Sequence, residues 1–286
     1  MKRITTAFSH QNVESKRLGR KDWLKKNKNE SIISSDPLHV KTYNELVQAI
    51  ALLNYHNRDL HLFYRGQDKD YTKKNRQSTI LPSIYRKKSG ENEINLREKF
   101  EILRVAETEL ENKLNSRPIR FSGTHLIMKY PEIRYSLLQH YEVCGTPVLD
   151  LTHSLHVACS FAFDRNNNET GIVYVFGMPA IAESISYYVS QELFNIRLLS
   201  IAPPRAKRPF FQEGYIAGPF PLSEIDKATK LPQFDFARRL VGKFEIPRNE
   251  SFWGSDGFRQ INPNRLYQPD DQIDIICKDI INIINK

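Results

Sequence analysis

The sequence contains no run approaching the roughly 18 apolar residues that a bilayer-spanning helix needs, so no membrane segment is expected. No apolar stretch follows Lys2 and Arg3, which argues against a secretory signal. Cysteine is scarce: Cys144, Cys159 and Cys277 are odd in number and show no C-x-x-C spacing. They are expected to be free thiols serving as small core residues in a reduced, cytoplasmic compartment. No G-x-G-x-x-G or Walker loop follows a strand pattern, which argues against dinucleotide-binding Rossmann and P-loop folds. His140, His153 and His156 do not fall at H-E-x-x-H or other metal-ligand spacing, so no metal site is expected. No internal repeat is visible.

The 286 residues suffice for one larger domain with appendages and a substantial core. Hydrophobic content of 40% and charged content of 26% are ordinary for a globular chain. The formal net charge of +9 is uneven. Residues 1–30 hold nine Lys/Arg against three Asp/Glu, which accounts for six of those nine charges. A basic, polar segment with little periodicity is expected to be a weakly ordered arm, over residues 1–38. Such an arm is either solvated or docks on phosphates, with an affinity that falls steeply with salt.

Residues 39–222 read as the core domain and residues 223–286 as an extension ending in a helix. Leu46, Ile50 and Leu53 recur at helical spacing, with Thr42 or Asn44 as the cap. A short strand over residues 60–64 ends at Arg65-Gly66. Residues 91–114 form the longest helical pattern, with Leu96, Phe100, Leu103, Ala106 and Leu110 on one face. Residues 132–141 and 154–163 read as helices, and 147–151 and 171–176 as strands. Further strands are expected over 197–201 and 209–217, and a C-terminal helix over 270–284 with an isoleucine stripe. Strands and helices mix without strict alternation, so the expected class is α+β: a mixed sheet flanked by helices.

Three segments carry candidate chemistry. In Phe63-Tyr64-Arg65-Gly66-Gln67, an arginine closing an apolar strand is poorly suited to packing. Its planar fork suits a phosphate or a carboxylate, whether from a ligand or from the protein itself. Gly66 permits close approach of a ligand or another backbone. The second segment runs from Leu138-Gln139-His140-Tyr141 to Asp150-Leu151-Thr152-His153-Ser154 and feeds an alanine-rich helix. Thr152 or Ser154 can cap that helix, whose free N–H groups favour an anion. Asp150 reads as a buried hydrogen-bond anchor, and His140 and Tyr141 have polar tips available at a helix end. In the third segment, period-2 alternation places Gln212 with Gly214 on one strand face and Glu213 with Tyr215 on the other.

Taken together, F-Y-R-G-Q, L-L-Q-H-Y with the following P-V-L-D-L-T-H-S, and F-Q-E-G-Y resemble the FRG family, named for its Phe-Arg-Gly motif, over roughly residues 40–220. That pattern in turn resembles a divergent ADP-ribosyltransferase. The resemblance implies an ADP-ribosyltransferase-like fold and NAD as substrate. It implies that Arg65, with Gly66 and Gln67, holds the phosphates, and that Thr152 or Ser154 braces the pocket. Tyr141 or Phe161 would stack on nicotinamide, and Glu213 or Gln212 would bind the ribose hydroxyls. No metal is required. A setting in bacterial anti-phage defence or a toxin system is implied by the resemblance alone, with a protein or nucleic acid as acceptor. Two other readings remain open: a non-catalytic module that binds a nucleotide or phosphate, and a nucleic-acid-binding protein acting through the basic arm.

Overall fold

The computed structural model describes residues 1–87, 93–116, 124–203, 205–222, 228–254, 258–268 and 271–285. Expectations involving Glu91, Asp270 and the boundary at 223 lie outside the described residues. The N-terminal segment is built of β1 (Thr6–Ala7), α1 (His10–Arg17), β2 (Asn27–Lys28) and α2 (Asn29–Ser34), with β1 and β2 paired antiparallel. β3 (Leu38–His39) and α3 (Tyr43–His56) follow, and the Thr42 hydroxyl accepts from the Glu45 N–H at 3.1 Å, as the capping pattern predicts. β4 (His61–Gln67) is followed by α4 (Leu96–Asn115), α5 (Thr124–Lys129) and α6 (Pro131–His140). Next come β5 (Leu149–Thr152), α7 (Leu155–Ala162), β6 (Thr170–Met178), β7 (Ile185–Tyr188) and β8 (Leu193–Arg197). The chain continues through α8 (Leu198–Ile201), α9 (Arg208–Phe211), β9 (Gly214–Pro219) and β10 (Leu240–Pro247). It finishes with α10 (Glu250–Trp253), α11 (Pro263–Tyr267) and α12 (Gln272–Ile284). No helix of the described residues is long and apolar enough to cross a membrane.

Eight strands form one mixed sheet in the order β3-β10-β6-β4-β5-β9-β8-β7, with β3 parallel to β10 and the other neighbours antiparallel. The α+β class with flanking helices is therefore observed. Two apolar clusters lie beneath different parts of the sheet. One joins α1, α2, α3 and α7 to β10, β6 and β4, through residues such as Leu53, Ala158, Val175 and Phe244. The other joins α4, α6 and α12 to β8 and β9, through Leu103, Leu137, Ile276, Ile196 and Ile216. The isoleucine stripe of α12 thus packs against α4.

Three expectations are corrected. First, residues 1–38 are not a loose arm. Phe8 is 1% exposed, and Ile32 and Val13 are buried in the first cluster. The Asn57 side chain accepts from the Phe8 N–H at 3.0 Å and donates to its carbonyl at 2.8 Å. Polarity hid this because the segment's few apolar residues follow neither period. Second, residues 197–201 are not one strand: β8 ends at Arg197 and the chain turns into α8. Third, residues 209–217 are not one strand. Pro209 lacks an N–H for a ladder and has a helix-compatible φ, so it starts the turn of α9. The Lys207 and Arg208 N–H groups donate to Asp271 at 2.7 and 2.9 Å.

A buried charge ties the N-terminal segment to the sheet. The Lys243 ammonium of β10 meets Asp70 at 2.9 Å and donates to the Ser78 hydroxyl at 2.7 Å and to the Ser35 carbonyl. Asp70 also accepts from the Tyr174 hydroxyl at 2.7 Å. His10 lies nearby, and burial, then the Lys243 charge, hold its pKa down to about 3.

Phe8→Ala is expected to lower unfolding free energy by about 3–5 kcal/mol in urea denaturation, the usual range for a fully buried phenylalanine. An unchanged midpoint would mean that the segment is not part of the core. His10 gives a pH signature. Below its unfolded pKa of 6.5 the unfolded chain takes up a proton that the folded chain refuses until about pH 3. Stability should therefore fall as pH drops through that window, and His10→Asn should flatten the slope by up to about 1.4 kcal/mol per pH unit.

Candidate functional site

The site begins with a split in the sheet. All seven residues of β4 pair with β6, and all four of β5 pair with β9. Between β4 and β5 the register holds a single pair, Tyr64 with Thr152. Past that pair the strands separate, and their facing backbone groups lose ladder partners. Arg65 compensates: its Nη1 donates to the Asp150 carbonyl at 2.7 Å across the gap. Burial lowers the Arg65 pKa, opposed by the charges of Asp150 and Tyr174.

Gly66 serves backbone approach, and the backbone is that of α7. A Cβ there would lie 1.9 Å from the Ala158 carbonyl oxygen and 2.5 Å from the Ala162 nitrogen. The helix therefore lies flat against β4, and its C-terminal end brings Phe161 and Asp164 to the mouth of the split.

A cavity of about 300 Å³ occupies this place, the lower end of the range for small-molecule sites. Arg65, Gly66, Thr152 and Gln212, drawn from all three sequence segments, line it. Gln139, His140, Asp150, Asp164, Arg86 and Tyr267 complete most of the wall. Arg86 is an exposed residue that lines the cavity, its Nε donating to the Leu81 carbonyl at 2.7 Å. Burial there, then the neighbouring Arg65 charge, hold its pKa down to about 10, so it stays cationic at neutral pH.

A hydrogen-bond network orients one side of the wall. Gln139 accepts from the Ser83 hydroxyl at 2.8 Å and from the Thr146 hydroxyl, which fixes its amide so that Nε2 donates to Asp150 Oδ2 at 2.8 Å. Asp150 Oδ1 lies 3.1 Å from His140 Nδ1. Burial pushes the Asp150 carboxyl up, but His140, Arg65 and Gln139 together outweigh it and hold the group below the usual carboxylate range. On the opposite side the Tyr267 hydroxyl donates to Asp164 Oδ2. The Tyr267 ring sits between the guanidinium groups of Arg165 at 4.6 Å and Arg208 at 5.1 Å.

Among the described residues, three buried polar atoms on this wall have no hydrogen-bond partner: Arg65 Nε, His140 Nε2 and Asp164 Oδ1. Buried polar atoms are normally paired, because each unsatisfied one costs about 1–3 kcal/mol. Three residues that line one cavity thus hold an uncommitted donor, an ambivalent ring nitrogen and an acceptor.

Glu213, Tyr141, Ser154 and Gln67 do not line this cavity. Glu213 is exposed on the turn after α9, with φ of +44°. The strand begins only at Gly214, so the alternation that was to aim Glu213 or Gln212 does not apply. Gln212 reaches the cavity from a helix end, buried, with Nε2 donating to the Leu266 carbonyl at 3.0 Å. Tyr141 is buried away from the cavity, its hydroxyl donating to Asp271 at 2.7 Å. Thr152 Oγ1 accepts from the Ser154 N–H at 3.0 Å, and Ser154 is the N-cap of α7. Gln67 lines an adjoining cavity of about 320 Å³ that shares Arg86. Gln139, His140 and Asp150 stand in segments the sequence reading quoted, but their pairing across nine intervening residues appears only in three dimensions. Asp164 and Tyr267 carried no sequence signal: their contact spans 103 positions.

Gly66→Ala should destabilise the chain by more than about 3 kcal/mol, beyond the usual overpacking range, because rigid backbone stands in the way. Gly214→Ala, whose Cβ would meet the His140 ring carbon at 2.9 Å, should cost less, about 1–3 kcal/mol. Chemical denaturation of both variants checks the order.

Comparison with known proteins agrees with the motif reading in its coarser part. No curated protein and no solved structure matches the chain. The family model of the FRG domain matches residues 60–171, the stretch that supplies β4, α6, β5 and α7 and with them Arg65, His140, Asp150 and Asp164.

Proposed function

We propose that the cavity at the split binds NAD or a related nucleotide and that the chain is an ADP-ribosyltransferase-like enzyme. The observation carrying this reading is the meeting of Arg65, Thr152 and Gln212, from three separate motifs, on one cavity. Arg65 and Arg86 supply two cations for a diphosphate. The acceptor oxygen of Asp164 and the amide of Gln212 suit ribose hydroxyls, and Tyr267 and Phe161 offer ring faces.

Breaking the bond between nicotinamide and ribose builds positive charge on the ribose, as in glycoside cleavage. A fixed carboxylate stabilises that charge without reorganisation in a site that excludes water. With Glu213 outside the cavity, Asp164 takes that role, since its Oδ1 is buried and uncommitted. The amide at Gln212, which cannot carry charge, favours a second reading in which the site binds a nucleotide without turnover.

Nicotinamide release and NAD binding separate these readings. The wild type should bind NAD and release nicotinamide. Asp164→Asn keeps an acceptor for Tyr267 but removes the charge, and should lower release by about 100-fold with affinity nearly unchanged. Binding without any release points to the second reading. No binding by calorimetry, with Arg65→Lys indistinguishable from wild type, rejects both.

A further inference from the structure

His140 is the most constrained side chain on the cavity wall that nothing so far uses. It is the last residue of α6, its side chain is 2% exposed, and it lines the cavity. Both ends of the residue are held. Its carbonyl accepts from Arg208 Nη1 at 3.1 Å, and Arg208 is itself clamped to Asp274 of α12 at 2.7 Å. Its Nδ1 faces Asp150 Oδ1 at 3.1 Å. The ring has room only because residue 214 is glycine, whose Cβ would come within 2.9 Å of Cε1 and 3.5 Å of Nε2.

Asp150 accepts hydrogen bonds on both oxygens, from Gln139 and from His140, and is held as a carboxylate. An ionised carboxylate can only accept, so the proton of a neutral His140 sits on Nδ1. That leaves the Nε2 lone pair free, and Nε2 is the ring atom without a partner. His10 also has a buried ring nitrogen without a partner, but His140 differs in lining the cavity. One of its nitrogens is held by a carboxylate and the other is uncommitted, which is the arrangement a proton acceptor requires.

We propose that His140 Nε2, with Asp150 as its positioning residue, takes the proton from a hydroxyl acceptor that attacks the ribose of the bound dinucleotide. The proposal rests on the NAD reading above. The acceptor oxygen forms its bond to ribose C1′ as the bond from C1′ to the nicotinamide nitrogen breaks. The bonding pair returns to the ring, which leaves as neutral nicotinamide, and the hydroxyl proton ends on Nε2. Water is the smallest such acceptor. The charged and titratable groups that line the cavity with the imidazole are Asp150, Arg65, Arg86, Glu142, Asp164, Tyr64 and Tyr267, and Arg208 and Tyr141 pack against His140 from outside it.

The test uses the full chain with NAD and water as acceptor. The wild-type rate of nicotinamide release should rise with pH through one ionisation. His140→Gln should abolish that ionisation and lower the rate by about 10²–10⁴-fold, with the NAD dissociation constant changed less than threefold. Asp150→Asn should also slow release. Nitrogen-15 shifts of the His140 ring should show Nδ1–H in the wild type and a shifted tautomer in Asp150→Asn. Wild-type turnover with an unaltered rate and pH profile in His140→Gln overturns the assignment and leaves the NAD reading standing. If the wild type neither binds nor cleaves NAD, the NAD reading fails and the proton-transfer step with it. An Nε2–H tautomer in the wild type overturns the assignment whatever NAD does.

Discussion

One hydrogen bond, from Arg65 to the carbonyl of Asp150, lets the sheet stay open where the cavity forms. β4 and β5 share one residue pair before they part, and each then relies on its outer neighbour alone. A guanidinium reaching across the gap satisfies a carbonyl that would otherwise face the interior unpaired. A lysine offers one compact charge on a flexible stem. Arginine can cap the carbonyl with one nitrogen and still present another to the cavity, and Nε is left to do so. The same side chain thus keeps the strands apart without loss of pairing and charges the space between them.

The rest of the wall is assembled around that gap by packing from both clusters. α7 lies close on β4 because Gly66 has no side chain, and it belongs to the first cluster. α6, which carries Gln139 and His140, belongs to the second. Asp150 stands between them, tied to Arg65 through its carbonyl and to α6 through its carboxylate. Moving either layer would break one of these bonds, so the geometry of the polar groups is inherited from the apolar packing beneath them.

Much of this was legible in the sequence, and the limits have physical causes. Helices with regular apolar spacing, α3, α4 and α12, stand close to where periodicity puts them. The mixed α+β class followed from the irregular order of strands and helices. Arg65 was conspicuous because a cation closing an apolar strand needs a reason. The stretch around Gln212 misled because Phe210 to Tyr215 alternates like a strand, while Pro209 and the acceptor Asp271, over sixty residues away, bend it into a helical turn. The N-terminal segment misled because its charge hides a few buried anchors, Phe8 and Ile32 above all. Asp164 and Tyr267 were invisible because no local rule relates residues so far apart.

The far wall of the cavity has a different origin from the near one. Arg65, His140 and Asp150 lie within residues 60–171, whereas Tyr267, which meets Asp164 on the opposite side, arrives from near the C-terminus on α11, whose Leu266 carbonyl is pinned by Gln212. Exchanging Tyr267 would reshape the space a ligand occupies and leave the Asp150 network intact. The shape of the cavity and the polar network around Asp150 are therefore set by different parts of the chain.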